Sequence, residues 1–202
     1  MNLLPAAADC EAISSHWWGQ PVNTATATAF LVAGVVVLAR RRAPMIGLAL
    51  ALTGVGSILF HGPMPSWAEW AHDFTLTWLI VVLITTGTRW QRLGGWPALL
   101  ALALVIYAVP ELGDPIAVAL SGVGVIRLVR IGGAQAWAGL VVLAAGGVIG
   151  RLSATGGPWC RPASLLQGHG LWHLTAATAV VLLAAAIAQR RSKNTPPSPQ
   201  SA

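Results

Sequence analysis

Met45–His61 reads MIGLALALTGVGSILFH, an uncharged apolar run that closes on a serine and a histidine four positions apart. About 20 helical residues cross the hydrocarbon core of a bilayer. An ionisable side chain inside such a run is costly and by default marks a functional site. Similar runs recur along the 202 residues, of which 55% are hydrophobic and only 9% charged; soluble domains carry roughly 25% charged residues. The expected class is an all-α integral membrane protein, a bundle of seven transmembrane helices with no room for a separate soluble domain.

The expected spans are Pro21–Leu38, Met45–His61, Trp67–Thr88, Trp96–Val109, Pro115–Val129, Ala134–Leu152 and Leu166–Ala188. Residues 1–20 form a polar, Trp-rich outer segment; Trp17 and Trp18 suit a membrane interface. No basic stretch followed by a long apolar run marks a cleavable signal at Met1–Asp9, so the first span is expected to act as its own insertion signal. Gln189–Ala202 is basic, then rich in Pro and Ser, and is expected to be a disordered cytoplasmic tail. Gly34 and the Ala144–Gly147 run read as close-packing positions between helices.

The net charge of +6 does not point to nucleic acid, because the basic residues cluster after alternate spans and form no face interleaved with aromatics. Loops after spans 1, 3, 5 and 7 carry ten of the twelve Arg and Lys residues; the six acids fall on or just inside the other side. The positive-inside rule then places the N-terminus outside and the C-terminus in the cytoplasm.

This topology brings five polar residues to a similar depth near the outer surface. His61 ends a span that runs outward, and Ser57 stacks one turn deeper on the same face. Asp73 lies about 9 Å inside the third span at 1.5 Å per residue. His169 and His173 occupy the first two turns of the last span, on one face. Zinc takes nitrogen ligands, and catalytic sites use three protein ligands with an open fourth position. His61, His169 and His173 are therefore the expected zinc ligands, Asp73 the proton carrier and Ser57 a hydrogen-bond donor to a developing oxyanion. His16 and His72 read as interface residues.

At these positions the chain resembles the alkaline ceramidase family, within a wider group of seven-span hydrolases that includes the adiponectin and progestin receptors. The shared pattern is SxxxH on the second span, here Ser57 and His61, an aspartate on the third, Asp73, and HxxxH on the last, His169 and His173. Cys10-Glu11 followed by Pro21-Val22-Asn23-Thr24 resembles the ceramidase N-terminal pattern, and Gly54–His61 its glycine-rich run. The resemblance covers about residues 9–188, with spans 4 to 6 similar only in hydrophobicity, and the compact size resembles bacterial members. It implies a hydrolase domain over residues 21–188, acting with zinc on ceramide-like or other N-acyl lipids drawn from the bilayer. A bacterial inner membrane with the site near the periplasmic side is the implied location. It also points to calcium at Asp9, Glu11 and Asn23, although Gln20 stands where the family has a glutamate and Asp9 sits one position from the expected aspartate. Cys10 and Cys160 both fall on the outer side, where a periplasm permits a disulfide, and the resemblance points to the same pairing.

Two other readings compete. A haem-binding electron carrier would use axial histidines from two spans but leaves Ser57, Asp73 and the HxxxH spacing unexplained. A lipid receptor using zinc without turnover would share the fold, which alone cannot separate it from an enzyme.

Overall fold

The computed structural model describes residues 5–194, and every regular element among them is helical. After a 3-10 turn at Pro5–Asp9, the helices are α1 (Pro21–Ala39), α2 (Pro44–His61), α3 (Ala68–Thr85), the short α4 (Gln91–Gly94), α5 (Trp96–Ala108), α6 (Gly113–Ile131), α7 (Ala134–Leu152) and α8 (Gly168–Asn194). Proline opens α1 and α2 and sits in the first turn of α5, where its missing N–H costs nothing and its φ suits a helix. Gly62, followed by Pro63 and Pro65, ends α2; Gly132 and Gly133, both at positive φ, end α6.

The helices close a circuit. α1 packs on α2 and α8, α2 on α3, α3 on α6, α6 on α7 and α7 on α8, with α5 outside against α3. The core lies where α1, α2, α3 and α8 meet, around Phe30, Ile46, Leu50, Trp78 and Leu183. A Cβ on Gly34 would stand 2.8 Å from the Gly47 carbonyl oxygen, so this glycine sets how closely α1 and α2 approach. Gly146 does the same between α7 and α8, where Thr175 fills the space. Both positions had the small-residue packing signature. Trp78, fully buried, donates its indole N–H to the carbonyls of Gly94 and Gly95 and pins the turn between α3 and α5.

Five segments are long and apolar enough to cross a membrane: Pro21–Ala39, Pro44–His61, Pro110–Ile131, Ala134–Leu152 and Gly168–Lys193. Their outward faces carry Val32, Val35, Val118, Val141 and Val148, an apolar surface suited to hydrocarbon. α5 has 13 residues. α3 has 18, but Glu69, His72 and Asp73 in its first half lower its hydropathy. The boundaries shift where polar residues extend or shorten a helix. α3 stops at Thr85 rather than Thr88, with α4 in the following turn, and α6 begins at Gly113 and runs to Ile131. α8 continues through Asn194, so residues 189–194 are helical rather than a disordered tail; residues 195–202 lie outside those described. The chain leaves the hydrocarbon-like stretch at Ala188, yet Gln189, Arg190 and Arg191 are good helix formers that extend it at an interface.

Candidate metal centre

His61 is the last residue of α2, and His169 and His173 stand one turn apart at the start of α8. One ring nitrogen from each lies within 4.8 Å of the others. Ring centroids are separated by 4.9 Å (His61 to His169), 5.1 Å (His61 to His173) and 4.6 Å (His169 to His173). His61 is fully buried and His173 is 1% exposed.

The hydrogen bonds around the rings select one tautomer in each. Gln20 donates its amide NH2 to the carbonyls of Ala6 and Glu11, both at 2.8 Å, which turns its Oε1 towards His61 Nδ1 at 2.7 Å. An amide oxygen only accepts, so Nδ1 of His61 carries the proton. Thr26 donates its hydroxyl to Val22 O at 2.8 Å, leaving the oxygen to accept from His173 Nδ1 at 3.1 Å. Asp9 Oδ1 stands 3.0 Å from His169 Nδ1. With Nδ1 of each ring so engaged, Nε2 is the nitrogen left to take a metal. The Nε2 atoms of His61 and His173 are buried without a partner, and such orphans need an explanation. Three imidazoles with one nitrogen each inside this small space, and the Nδ1 of each engaged elsewhere, form the arrangement of a metal-ligating histidine set. The donor set fits zinc, which bonds imidazole nitrogen at about 2.0–2.1 Å and would draw the rings somewhat closer.

Asp9 is approached by His61 Nδ1 as well, at 3.9 Å. Burial pushes its carboxyl up to about 7, with the charge of His72 pulling the other way; a cation held by the histidines would favour the ionised form.

Ser57 is 1% exposed, and its Oγ has no hydrogen-bond partner. A helical serine usually bonds back to the preceding turn, so this hydroxyl is free to donate. Asp73 accepts from His72 Nδ1 at 2.9 Å. It lines a cavity of about 490 Å³ with Asp9, Phe60, His72 and His169. A second cavity of about 400 Å³ shares Glu69, Asp73 and Pro110 with the first and is walled by Trp67, Trp70, Ile106 and Tyr107. The two adjoin at Glu69, Asp73 and Pro110, with the aromatic walls of the second between α3 and α5 and the first reaching His169.

The N-terminal segment covers the histidines and is bound to the loop before α8. Cys10 and Cys160 form the expected disulfide, with Cα atoms 5.5 Å apart. Thr155 N–H donates to Ala8 O at 2.9 Å, Cys10 N–H to Thr155 Oγ1 at 3.0 Å and Ala12 N–H to Pro162 O at 3.0 Å. The residues expected to take calcium lie in different surroundings. Asp9 faces the histidines. Glu11 accepts from the backbone N–H groups of Val22 and Asn23 at 2.7 and 2.8 Å, capping the first turn of α1. Asn23 is fully buried; its Nδ2 donates to Gln20 Oε1 at 3.3 Å, and its Oδ1 has no hydrogen-bond partner. The two carboxylates are thus spent on separate tasks.

Gln20 and Thr26 escape the motif pattern, and His72, read as an interface residue, instead stacks on Phe60 at 4.8 Å and holds Asp73. The available signal was weak: polar residues at the start of an otherwise apolar span. No protein-family model matches this chain, and no curated protein matches it. The three-histidine geometry therefore carries the functional reading.

Proposed function

We propose that this chain is a zinc-dependent amide hydrolase of the alkaline ceramidase type, acting on ceramide-like or other N-acyl lipids. The observation that carries the reading is the convergence of three imidazole nitrogens whose opposite nitrogens are held by Gln20, Thr26 and Asp9. The proposed topology is seven crossings with the N-terminus outside and the site near the outer, periplasmic face of a bacterial inner membrane. Support comes from the arginines at the ends of α1, α3, α6 and α8, and from the acids near the opposite ends. The first half of α3 is polar because it lines the chamber, which accounts for its low hydropathy.

Bound zinc supplies Lewis acidity and makes water a competent nucleophile near neutral pH. The chain supplies the rest. The substrate enters sideways, its acyl chain along the aromatic and apolar wall of Trp67, Trp70, Ile106 and Tyr107 and its headgroup in the chamber beside His169. Both volumes are in the range of ligand sites. Asp73 takes a proton from the attacking water and returns it to the departing amine nitrogen as the C–N bond breaks. Ser57 Oγ–H donates to the carbonyl oxygen as charge develops there. The products are a fatty acid and an amine. A haem is disfavoured, because it would use two of the three clustered histidines and leave the third unexplained.

The test is metal content and N-acyl lipid hydrolysis of the detergent-purified chain beside His169→Ala. About one zinc per chain with turnover, both lost in the variant, is expected. A chain that takes no zinc, or that hydrolyses equally well without it, overturns the reading.

A further inference from the structure

At the end of the bundle opposite the histidines, a cavity of about 230 Å³ opens between the C-terminal ends of α3, α6 and α8. Its wall holds three arginines, Arg127, Arg190 and Arg191, with Gly87, Ile131 and Ile187. No Asp or Glu lines it, and all six acids of the chain lie elsewhere, between Asp9 and Glu11, Glu69 and Asp73, or Glu111 and Asp114.

A topology signal needs basic residues only at the helix ends, and Arg130, in the last turn of α6, serves there. Arg127 lies one turn inside α6, half-buried, and donates to the backbone carbonyls of Leu83 and Thr86 at the end of α3. Those carbonyls fix the direction of the guanidinium but carry only partial charge. Gly87 sits at φ +79°, and a Cβ there would meet Arg191 Cγ and Cδ at 3.1 Å, so the aliphatic stem of Arg191 lies across the glycine. Arg127 is therefore positioned by backbone before any ligand arrives.

Guanidinium groups match the oxygens of a phosphate with paired hydrogen bonds. Basic pockets between membrane helices are suited to anionic headgroups, and apolar Ile131 and Ile187 offer a wall for the start of an acyl chain. We propose that this cavity binds a phosphate group, delivered as the headgroup of an anionic phospholipid or as a free phosphate. The site shares no residue with the histidine centre, so either proposal can fail without the other.

The test is the thermal unfolding of the full chain in a neutral detergent. One arm adds phosphatidylglycerol against phosphatidylcholine; the other adds inorganic phosphate against chloride at matched ionic strength. We expect Tm to rise by about 2–4 °C with phosphatidylglycerol or with phosphate. The rise should vanish in Arg190→Gln, shrink in Arg127→Lys, and persist in Arg92→Gln, which lies outside the cavity. A rise with the lipid alone identifies a headgroup, and a rise with both identifies phosphate itself. Arg190 is exposed and does not hold α3, so its variant folds even where Arg127→Gln does not. No rise with either probe, or a rise that survives equally in Arg190→Gln and Arg127→Lys, overturns the proposal.

Discussion

Gln20 Oε1 stands 2.7 Å from His61 Nδ1, and this contact decides which nitrogen of His61 faces the other two histidines. The amide is itself fixed, because its NH2 is held by the carbonyls of Ala6 and Glu11. Gln20→Leu removes the acceptor and leaves a buried Nδ1–H without a partner. Zinc affinity, read by chelator competition, is expected to fall by roughly 10–100-fold. Gln20→Glu keeps an acceptor for His61 but loses both donors to the N-terminal segment. It should hold zinc nearly as well as the native chain while unfolding at lower temperature. Equal zinc affinity in Gln20→Leu would remove the positioning role.

The disulfide should matter to the metal as well as to the fold. Cys10 follows Asp9 directly, and Cys160 lies in the loop that leads into the helix of His169 and His173. Cys160→Ser releases the segment that holds Asp9 against His169. Such a loss typically costs about 2–5 kcal/mol of stability, and zinc affinity should fall by about 10-fold through the freed His169 ring. Reductant should produce the same change in the native chain and none in the variant. Zinc affinity unchanged by reduction would mean that the hydrogen bonds of Thr155 and Ala12 hold the segment alone.

Glu11 offers a contrast, since it supports the same region without facing the histidines. Its two oxygens take the N–H groups of Val22 and Asn23, donors that open α1 and have no intrahelical partner. Hydrogen bonds to a charged group are worth about 1.5–3 kcal/mol each when a partner is removed. Glu11→Ala should therefore lower Tm clearly, while Glu11→Gln, with one acceptor oxygen, falls between. Zinc stoichiometry should stay at the native value in both, which thermal unfolding and metal analysis together would check.

The pairs Ser57–His61 and His169–His173 were legible because a helix places residues four apart on one face whatever surrounds it. Cys10–Cys160 was legible because charge placement put both cysteines on one side of the bundle. The partners of the rings were not. Asp9 reaches His169, and Gln20 reaches His61, only through the path of residues 5–20, a segment with a single 3-10 turn and no periodicity to read. The resemblance that pointed to calcium at Asp9, Glu11 and Asn23 rests on residue types. What each carboxylate does depends on a backbone path those types do not encode. Helix ends were misplaced at α3 and α8 for a related reason: hydropathy reports where hydrocarbon would end, and a helix ends where its hydrogen bonds do.

Ser57 and Asp73 allow the hydrolase reading to be tested without disturbing the metal ligands. Ser57 Oγ is buried and has no partner in the resting structure. Removing an unsatisfied hydroxyl leaves stability unchanged or improved, so a loss of turnover in Ser57→Ala cannot be assigned to unfolding. Removing an oxyanion donor costs about 10²–10³ in kcat, and that is the expected loss, with zinc retained and KM little changed. Asp73→Asn keeps the shape beside His72 and the wall of the chamber but cannot accept the proton. Its turnover should drop by about 10²–10⁴, again with zinc at the native level. Full activity in either variant would strip that residue of its role. Loss of zinc in Asp73→Asn would instead make Asp73 part of the metal shell, a place its position between His72 and the chamber does not suggest.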